Sequence, residues 1–262
     1  YVVLLNSDVE VTPNWLDTLL NYARTHEEVA AIQPKILSWQ SKEDALKSGS
    51  TEILFEHAGA AGGLIDVLGY PYCRGRFMSH VEYDHGQYDD IVPIFWASGA
   101  CLFINREIYQ KSGGLDAHFF AHQEEIDLCW RLNSQGYTIV VLPQSVIYHL
   151  GGGALGYESP RKTFLNFRNN LLMLYKNLPA SKLPWILLIR FFLDYIAAIQ
   201  MLLTGKRLNA SAVIKARCEF FKLRRIYKDK RANIIRNTKT TSTIPISQRS
   251  IIFDYYVCGK RK

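Results

Sequence analysis

The chain has 262 residues, of which 48% are apolar and 13% aromatic, so it can bury a substantial core and is not a disordered protein. Its five cysteines form no CxxC pair, which argues against a disulfide framework and a structural zinc site and favours a reducing compartment. Residues 1–203 hold 15 basic and 21 acidic side chains, whereas residues 204–262 hold 16 basic and three acidic ones. A basic tail of this kind favours an anionic surface as a partner.

The N-terminal segment predicts a strand, a helix and a second strand. The run "YVVLLN" predicts a buried parallel strand because it is almost entirely apolar. The following "TPNWLDTLLNYARTH" predicts a helix with Thr12 as its N-cap and Pro13 in its first turn. The segment "VAAIQPKIL" then predicts another strand.

The middle of the chain continues this alternation after an irregular stretch. Residues 40–92 show little helical period and predict either a long functional loop region or a small sheet. "IFWASGACLFINREIYQKSGGLD" predicts a strand and a short helix, and "QEEIDLCWRLNSQGY" predicts a further helix. "TIVVLP" and "SVIYHL" predict two more strands. The alternation indicates an α/β domain, in which a ligand crevice lies beyond the carboxyl ends of the strands.

From Tyr157 onward the pattern is helical, and residues 183–204 are long and apolar enough to cross a bilayer. Arg190 and Asp194 interrupt this stretch, and their spacing predicts an ion pair on a helix that lies in the membrane interface or docks on the protein. Residues 204–231 hold ten basic and two acidic side chains, which favours an anionic leaflet. A buried helix followed by a solvated basic helix is the alternative. Nucleic acid is not favoured, because no binding motif accompanies the charge.

Two strand ends carry side chains suited to a divalent cation. Asn6 and Asp8 are two residues apart on an extended segment, so their side chains point the same way, and a carboxylate there can bind Mg²⁺ or Mn²⁺. His149 ends a strand before three glycines, where its imidazole could join Asp8 on one metal. Each residue alone is equally consistent with an ordinary turn or polar strand end.

Acidic side chains also gather in the first turn of the predicted helix "QEEIDLCWRLNSQGY". Glu124, Glu125 and Asp127 can be favoured there by the helix dipole alone. However, Glu125 lies close to the predicted apolar stripe of this helix, where a carboxylate can face a cleft. A carboxylate in that position could act as a general base toward an acceptor hydroxyl.

Two segments resemble the family 2 glycosyltransferases with a GT-A fold, especially the rhamnosyltransferase-like bacterial members. These segments are "LLNSDVEV" and "WASGACLFINREIYQKSGGLDAHFFAHQEEIDLCWRLNSQGYTIVVLPQSVIYHLGGG", and the resemblance covers roughly residues 1–180. It implies a Rossmann-like, mostly parallel sheet. It also implies that the nucleoside-binding half of the fold precedes the first strand, so that we expect a longer natural protein and little activity from this segment alone.

The resemblance implies roles for individual residues. Asn6, Ser7 and Asp8 correspond to the DxD-type motif, in which Asp8 would bind the Mg²⁺ or Mn²⁺ that holds the donor diphosphate. His149 would be a further metal ligand or diphosphate contact. Glu125 falls at the position of the family's catalytic aspartate. The acceptor pocket would be lined by Trp96, Ser98, Gly99 and Glu124.

The resemblance also implies an organisation and an activity. Residues 1–156 would form the glycosyltransferase domain, residues 157–231 a helical membrane-associating region and residues 232–262 a basic tail. The expected function is inverting transfer of a sugar from a nucleotide-sugar to a saccharide or lipid-linked acceptor, at the cytoplasmic face of the membrane, in bacterial surface polysaccharide synthesis. A non-catalytic carbohydrate-binding scaffold and a metal-dependent phosphoryl transferase or hydrolase are the alternatives.

Overall fold

The computed structural model describes residues 1–151, 159–239 and 245–260. The strands in these residues are β1 (Val2–Leu5), β2 (Val9–Val11), β3 (Val29–Ser38), β4 (Gly63–Asp66), β5 (Pro71–Cys73), β6 (Arg76–Phe77), β7 (His80–Val81), β8 (Val92–Pro93), β9 (Cys101–Ile104), β10 (Thr138–His149) and β11 (Ile246–Ser247). The helices are α1 (Trp15–Thr25), α2 (Trp39–Ser48), α3 (Arg106–Lys111), α4 (Glu124–Ser134), α5 (Pro160–Asn177), α6 (Leu183–Leu203), α7 (Arg207–Ile226), α8 (Lys228–Arg236) and α9 (Ile251–Tyr256). Gly152 and Gly153, two of the three glycines that follow the strand end at His149, lie outside the described residues.

A mixed sheet forms the centre of the fold, with strand order β1-β9-β3-β10-β2 and with β8 added beside β10. Within the described residues of this sheet, β3 and β10 are parallel and the other neighbours are antiparallel. The prediction of a mostly parallel sheet is therefore wrong. So is the prediction of a buried parallel strand for "YVVLLN", because β1 is half-buried and pairs antiparallel with β9. An apolar run indicates burial, but it does not fix the direction of the neighbouring strand.

A second, smaller sheet has the order β11-β4-β5-β6-β7. Four of its strands lie within residues 40–92, for which the sequence predicted either a loop region or a small sheet. Strand β11 comes from the predicted basic tail and pairs in parallel with β4. The backbone N–H of Ile251 also donates to Asp66 Oδ2 at 3.0 Å. Part of the C-terminal segment thus packs on the body of the domain.

Several local predictions differ from the structure. Thr12 does not cap α1, because its Oγ1 donates to the carbonyl of Val146 at 2.7 Å, and Asn14, with a φ of 61°, occupies the N-cap position. The two predicted strands near residues 138–149 are one strand, β10, with a shift in register between Leu142 and Val146. A bulge of this kind interrupts the apolar alternation without ending the strand.

Buried ion pairs join α4 to α5. Asp127 of α4 is fully buried and accepts hydrogen bonds from Arg131 Nε at 3.0 Å and from Lys176 Nζ at 2.7 Å. The amide of Asn177 donates to its other oxygen at 2.9 Å. Asp127 is therefore bound on both carboxylate oxygens, which fixes the orientation of α4 against α5.

Substitution of Asp127 by alanine is expected to destabilise the fold by about 3 to 5 kcal/mol, because Lys176 and Arg131 lose a carboxylate in a buried site. Urea unfolding would measure the change. Glu107→Ala is the control, since Glu107 forms an exposed pair with Lys111 worth at most about 1 kcal/mol. Equal losses in the two variants would contradict this account of the buried cluster.

Helix α6 turns its charged residues inward and its apolar residues outward. Arg190 and Asp194 are buried and form the predicted ion pair, with 3.3 Å between Arg190 Nε and Asp194 Oδ1. Arg217 of α7 donates to the other oxygen of Asp194 at 2.7 Å. Large apolar side chains are exposed along the rest of the helix: Trp185, Leu188, Ile189, Phe191, Phe192, Ile196, Ile199, Leu202 and Leu203. Within the described residues, α6 is the one helix whose length and composition would allow it to cross a membrane.

Candidate active site

The ends of β1 and β10 bring Asp8 and His149 together. Asp8 Oδ1 lies 3.3 Å from His149 Nε2, and Asn6 Nδ2 lies 3.3 Å from the same ring nitrogen. The backbone N–H of Leu150 donates to the carbonyl of Asp8 at 3.0 Å, which holds the two segments side by side. The side chains that the sequence selected at two separate strand ends therefore form one cluster.

Glu56 completes this cluster and was missed in the sequence. It is 4% exposed, and its Oε2 lies 3.5 Å from His149 Nδ1 and accepts a hydrogen bond from the backbone N–H of Ala58. The signal available in the sequence was an acid followed by His57 at the edge of a glycine-rich stretch. Nothing in that pattern indicated its pairing with a strand end more than ninety residues later.

The electrostatics of this cluster favour a charged pair. Burial by itself lowers the pKa of His149, but the carboxylates of Glu56 and Asp8 outweigh it, so the pKa of the imidazole is raised. Burial raises the pKa of Glu56, but His149, the backbone N–H of Ala58 and His57 together outweigh it, so the pKa of this carboxyl is lowered. The imidazole thus lies between two carboxylates, each of which stabilises its protonated form.

An open cleft of about 240 Å³ adjoins the cluster. Its lining residues are Ser7, Asp8, Val9, Glu10, Trp39 and Leu150. Trp39 Nε1 donates to Glu10 Oε2 at 2.8 Å, and Lys42 pairs with Glu10 Oε1 at 2.5 Å, so that Glu10 is already occupied by two donors. Asp8 is the carboxylate in this cleft that faces His149.

A tight turn connects the strand-end cluster to the acidic residues of α4. The backbone N–H of Asn6 donates to the carbonyl of Ala100 at 3.1 Å. The preceding residue, Gly99, lies against Glu125, since a Cβ built on Gly99 would be 3.9 Å from the carboxyl carbon of that side chain. The turn therefore contacts the strand end through Ala100 and the Glu125 side chain through Gly99.

Glu124 and Glu125 form a pair of partly buried carboxyls. In each of them Oε2 is buried and has no hydrogen-bond partner among the described residues. Burial and, secondarily, the charge of Glu124 raise the pKa of Glu125 to about 8. Burial also raises the pKa of Glu124. A carboxyl that titrates near neutral pH and has an oxygen free of internal partners is suited to proton transfer.

Trp96 and Ser98 come just before Gly99 in the chain, and both are buried. The Trp96 indole packs on Gly63, where a Cβ would come within 2.2 Å of the ring, and its Nε1 donates to the carbonyl of Leu64 at 2.8 Å. Ser98 Oγ donates to the carbonyl of Ala58 at 2.8 Å. Their predicted contact with an acceptor stays a prediction; in the described structure both side chains support the turn that contains Gly99.

The residues present are compatible with a divalent cation that is bound jointly by protein and ligand. Asp8 offers a carboxylate, which suits Mg²⁺ and Mn²⁺, and His149 offers an imidazole, which suits Mn²⁺ once the cation displaces its proton. Among residues 1–151, 159–239 and 245–260, no group of three or more His, Cys, Asp or Glu side chains is arranged to hold a metal. The remaining ligands would have to come from the substrate and water.

The chain is thus an α/β protein in which Asp8 and His149 meet at strand ends and Glu124 and Glu125 begin helix α4. Residues 1–171 match the family model described as "Glycosyltransferase like family 2", and the chain belongs to this family. The resemblance inferred from the sequence motifs is thereby confirmed.

Three further similarities were found. The O-antigen biosynthesis protein RfbC of Myxococcus xanthus is 29% identical over 157 residues, which cover 56% of this chain and 11% of the relative. An N-acetylglucosaminyl-diphospho-decaprenol L-rhamnosyltransferase of Mycobacterium tuberculosis is 26% identical over 149 residues, which cover 57% of this chain and 46% of the relative. A crystal structure of GalNAc-T7 with UDP, GalNAc and Mn²⁺ superposes with a TM-score of 0.45 at 17% identity. The superposition covers 66% of this chain and 31% of the GalNAc-T7 chain. The chain thus spans less than half the length of these curated relatives.

Proposed function

We propose that this chain is part of an inverting glycosyltransferase that moves a sugar from a nucleotide-sugar to a hydroxyl of a saccharide or lipid-linked acceptor. The observation that carries the proposal is the placement of Glu125 beside Gly99, in the turn whose next residue, Ala100, accepts a hydrogen bond from the backbone N–H of Asn6. A proton acceptor and a donor-binding edge that both contact one turn suit direct displacement at a sugar carbon.

Glu125 acts as the general base in this proposal. A pKa of about 8 makes its carboxylate a stronger base than an ordinary glutamate, which favours removal of a proton from an acceptor hydroxyl as that oxygen attacks. Glu124, whose Oε2 is also unpartnered, orients the acceptor through its carboxyl. Gly99 lies next to the Glu125 carboxyl, since a Cβ built on it would be in van der Waals contact with the carboxyl carbon at 3.9 Å.

Asn6, Ser7, Asp8 and His149 form the donor-binding edge. Asp8 and His149 would hold a Mg²⁺ or Mn²⁺ ion, which when bound neutralises charge on the leaving nucleoside diphosphate. Glu56 keeps the imidazole oriented from its other side. The mycobacterial relative is a transferase of L-rhamnose to a lipid-linked diphospho-sugar, which supports a lipid-linked acceptor of the same chemical class for this chain.

The stereochemistry of the product tests the proposed direct displacement. The protein encoded by the natural open reading frame would be incubated with its donor and acceptor, and the anomeric configuration of the new linkage read from NMR coupling constants. Direct displacement predicts a configuration opposite to that of the donor. Retention of the donor configuration would contradict the assignment of Glu125 as a base for the attacking hydroxyl.

We also propose that the exposed apolar face of α6 rests on an anionic membrane surface at the cytoplasmic side. Arg190 and Asp194 are directed into the protein, so the helix remains docked along one face while its other face offers Trp185, Phe192 and Ile196 to lipid. The ten basic side chains of residues 204–231 suit anionic headgroups beside it. No role for nucleic acid is proposed.

Replacement of both Phe192 and Ile196 by glutamate is expected to lower binding to vesicles containing phosphatidylglycerol by about tenfold or more, because two exposed apolar side chains no longer enter the lipid. Co-sedimentation with the vesicles would measure it. Leu46→Glu is the matched control, since Leu46 is an exposed leucine on α2. Unchanged binding by the double variant would contradict the proposed membrane face.

A further inference from the structure

The segment just before α4 has an unusual backbone. Phe120, His122 and Gln123 have positive φ angles of 64°, 69° and 71°, although none of them is glycine. A left-handed conformation costs a non-glycine residue roughly 1 to 2 kcal/mol, so other contacts must hold the loop in place. Gln123 directly precedes Glu124, and the conformation of this loop therefore sets the direction in which the carboxyls of α4 point.

Helix α5 supplies those contacts through consecutive polar residues. Asn169 is fully buried, and its Nδ2 donates to the carbonyls of Phe119, Ala121 and His122 at 2.9, 2.8 and 2.7 Å. The neighbouring Arg168 donates from Nη2 to the carbonyls of His118 and Phe119, both at 3.0 Å. The two N–H groups of one buried amide are thus shared among three loop carbonyls, and that of Phe119 also accepts from the backbone N–H of Ala121 at 2.8 Å.

A second amide on α5 contacts the side chain of Gln123 itself. Asn170 Nδ2 donates to Gln123 Oε1 at 3.0 Å and to the carbonyl of Gly69 at 2.8 Å. Gln123 Nε2 in turn donates to the carbonyl of Asn166 at 3.2 Å. Gln123 is therefore bonded at both ends of its amide, and both partners belong to α5.

Arg190 of α6 determines how the side-chain amide of Asn170 is oriented toward Gln123. Its Nη1 donates to Asn170 Oδ1 and, at 3.2 Å, to the carbonyl of Leu68. A guanidinium can only donate, so the oxygen of Asn170 must face it, and the NH₂ group of Asn170 must face Gln123. Helix α6, whose outer face is apolar, thus helps to orient Gln123, the residue just before α4.

We propose that Asn169, Asn170 and Gln123, ordered by Arg190, are positioning residues that hold the loop at residues 119–123 and thereby place the Glu125 carboxyl beside Gly99. The inference rests on the proposed role of Glu125 as the base. None of the four residues is assigned contact with the donor, the acceptor or the metal. Their effect on transfer would come through the position of Glu125 alone.

Asn170→Ala tests the proposal directly, and Gln123→Gly tests it without a backbone penalty, because glycine accepts a φ of 71° freely. The full-length protein would be labelled with ¹³Cδ-glutamate, and the Glu125 resonance assigned by its loss in Glu125→Gln. Titration gives the pKa of Glu125, and hydrogen exchange of the amides of residues 119–127 gives the order of the loop.

We expect faster exchange of these amides in both variants and a fall in the pKa of Glu125 from about 8 toward the ordinary value, as water reaches the carboxyl. The other titratable groups that interact with Glu125 are Glu124 and the Cys129 thiol, and neither is altered. In the transfer assay kcat should fall about 100-fold with the KM for the donor unchanged, as for a displaced catalytic group.

Asn209→Ala provides the matched control. Asn209 is a buried asparagine on α7 that donates to Thr163 Oγ1 at 2.8 Å, in the first turn of α5. Its replacement should leave the pKa of Glu125 and the loop exchange unchanged. If Asn170→Ala and Gln123→Gly behave like this control, the positioning role is overturned. If the pKa and exchange change as expected while the wild type transfers no sugar, the positioning geometry stands and the proposed transferase function fails.

Discussion

Replacement of Glu125 by glutamine is expected to lower kcat for sugar transfer by about 10² to 10⁴-fold, the usual contribution of a general base. Glutamine preserves the size of the side chain beside Gly99 but cannot accept the proton of the acceptor hydroxyl. Donor binding should be unaffected, because the substitution leaves the proposed donor-binding residues Asn6, Asp8 and His149 unchanged. Steady-state assays with separately varied donor and acceptor would measure both parameters.

Glu107→Gln is the matched control for this substitution. Glu107 is an exposed glutamate in the first turn of α3, in the same position relative to its helix as Glu125 has in α4. It should retain full activity. Wild-type turnover by Glu125→Gln would show that another group removes the proton, and would contradict the assignment of the base.

The raised pKa of Glu125 also predicts how rate and stability depend on pH. Since the base must be ionised, the wild-type rate should rise with pH up to and through about 8. The folded state binds the proton more tightly than the unfolded state, so the stability associated with this group is present below pH 4.5 and is lost as the pH rises through about 8. Glu125→Gln should therefore be more stable than the wild type at pH 9, by roughly 1 to 3 kcal/mol.

Asp8→Ala is expected to reduce transfer about 10²-fold or more and to remove its response to Mn²⁺, because it removes the carboxylate of the two proposed metal ligands. Titration of Mn²⁺ into each variant, followed by calorimetry in the presence of the nucleoside diphosphate, would separate metal binding from turnover. Glu10→Gln is the control, since Glu10 lines the same cleft and is already paired with Lys42 and Trp39. Equal loss in the control would contradict a specific role for Asp8.

Much of the candidate site could be predicted from local sequence. Asp8 and His149 were recognisable because each lies at or just after the end of an apolar strand, and the structure places the two side chains 3.3 Å apart. The pair at Glu124 and Glu125 was recognisable from its place at the start of an amphipathic helix. These signals depend on the order of side chains within one element, which the sequence contains in full.

The elements that were missed depend on contacts between distant segments or lack a periodic pattern. Helix α2 was not predicted because Ala45 is its one buried residue, so it has no apolar stripe. Glu56 reaches His149 only after the chain has folded. The bonds from Asn169 to the loop before α4 likewise join residues nearly fifty positions apart. No local periodicity reports such pairings.

The exposed apolar face of α6 illustrates what amino-acid composition alone cannot predict. The sequence placed Arg190 and Asp194 on one helix face, and the structure confirms the pair and shows that it is directed inward, against Arg217 and Asn170. Composition alone could not decide between a spanning helix and a docked one, since both contain the same residues. The partners of the two charges provide the additional information.

Release of nucleoside diphosphate tests the central claim most directly. The protein from the natural open reading frame would be given a panel of UDP-, GDP- and dTDP-sugars with Mn²⁺ and a membrane extract as the acceptor source, beside Glu125→Gln and Asp8→Ala. The account predicts acceptor-dependent release from one donor by the wild type, with loss in both variants. Release of inorganic phosphate or sugar phosphate instead, or no release from any donor, would contradict a glycosyltransferase built on Asp8 and Glu125.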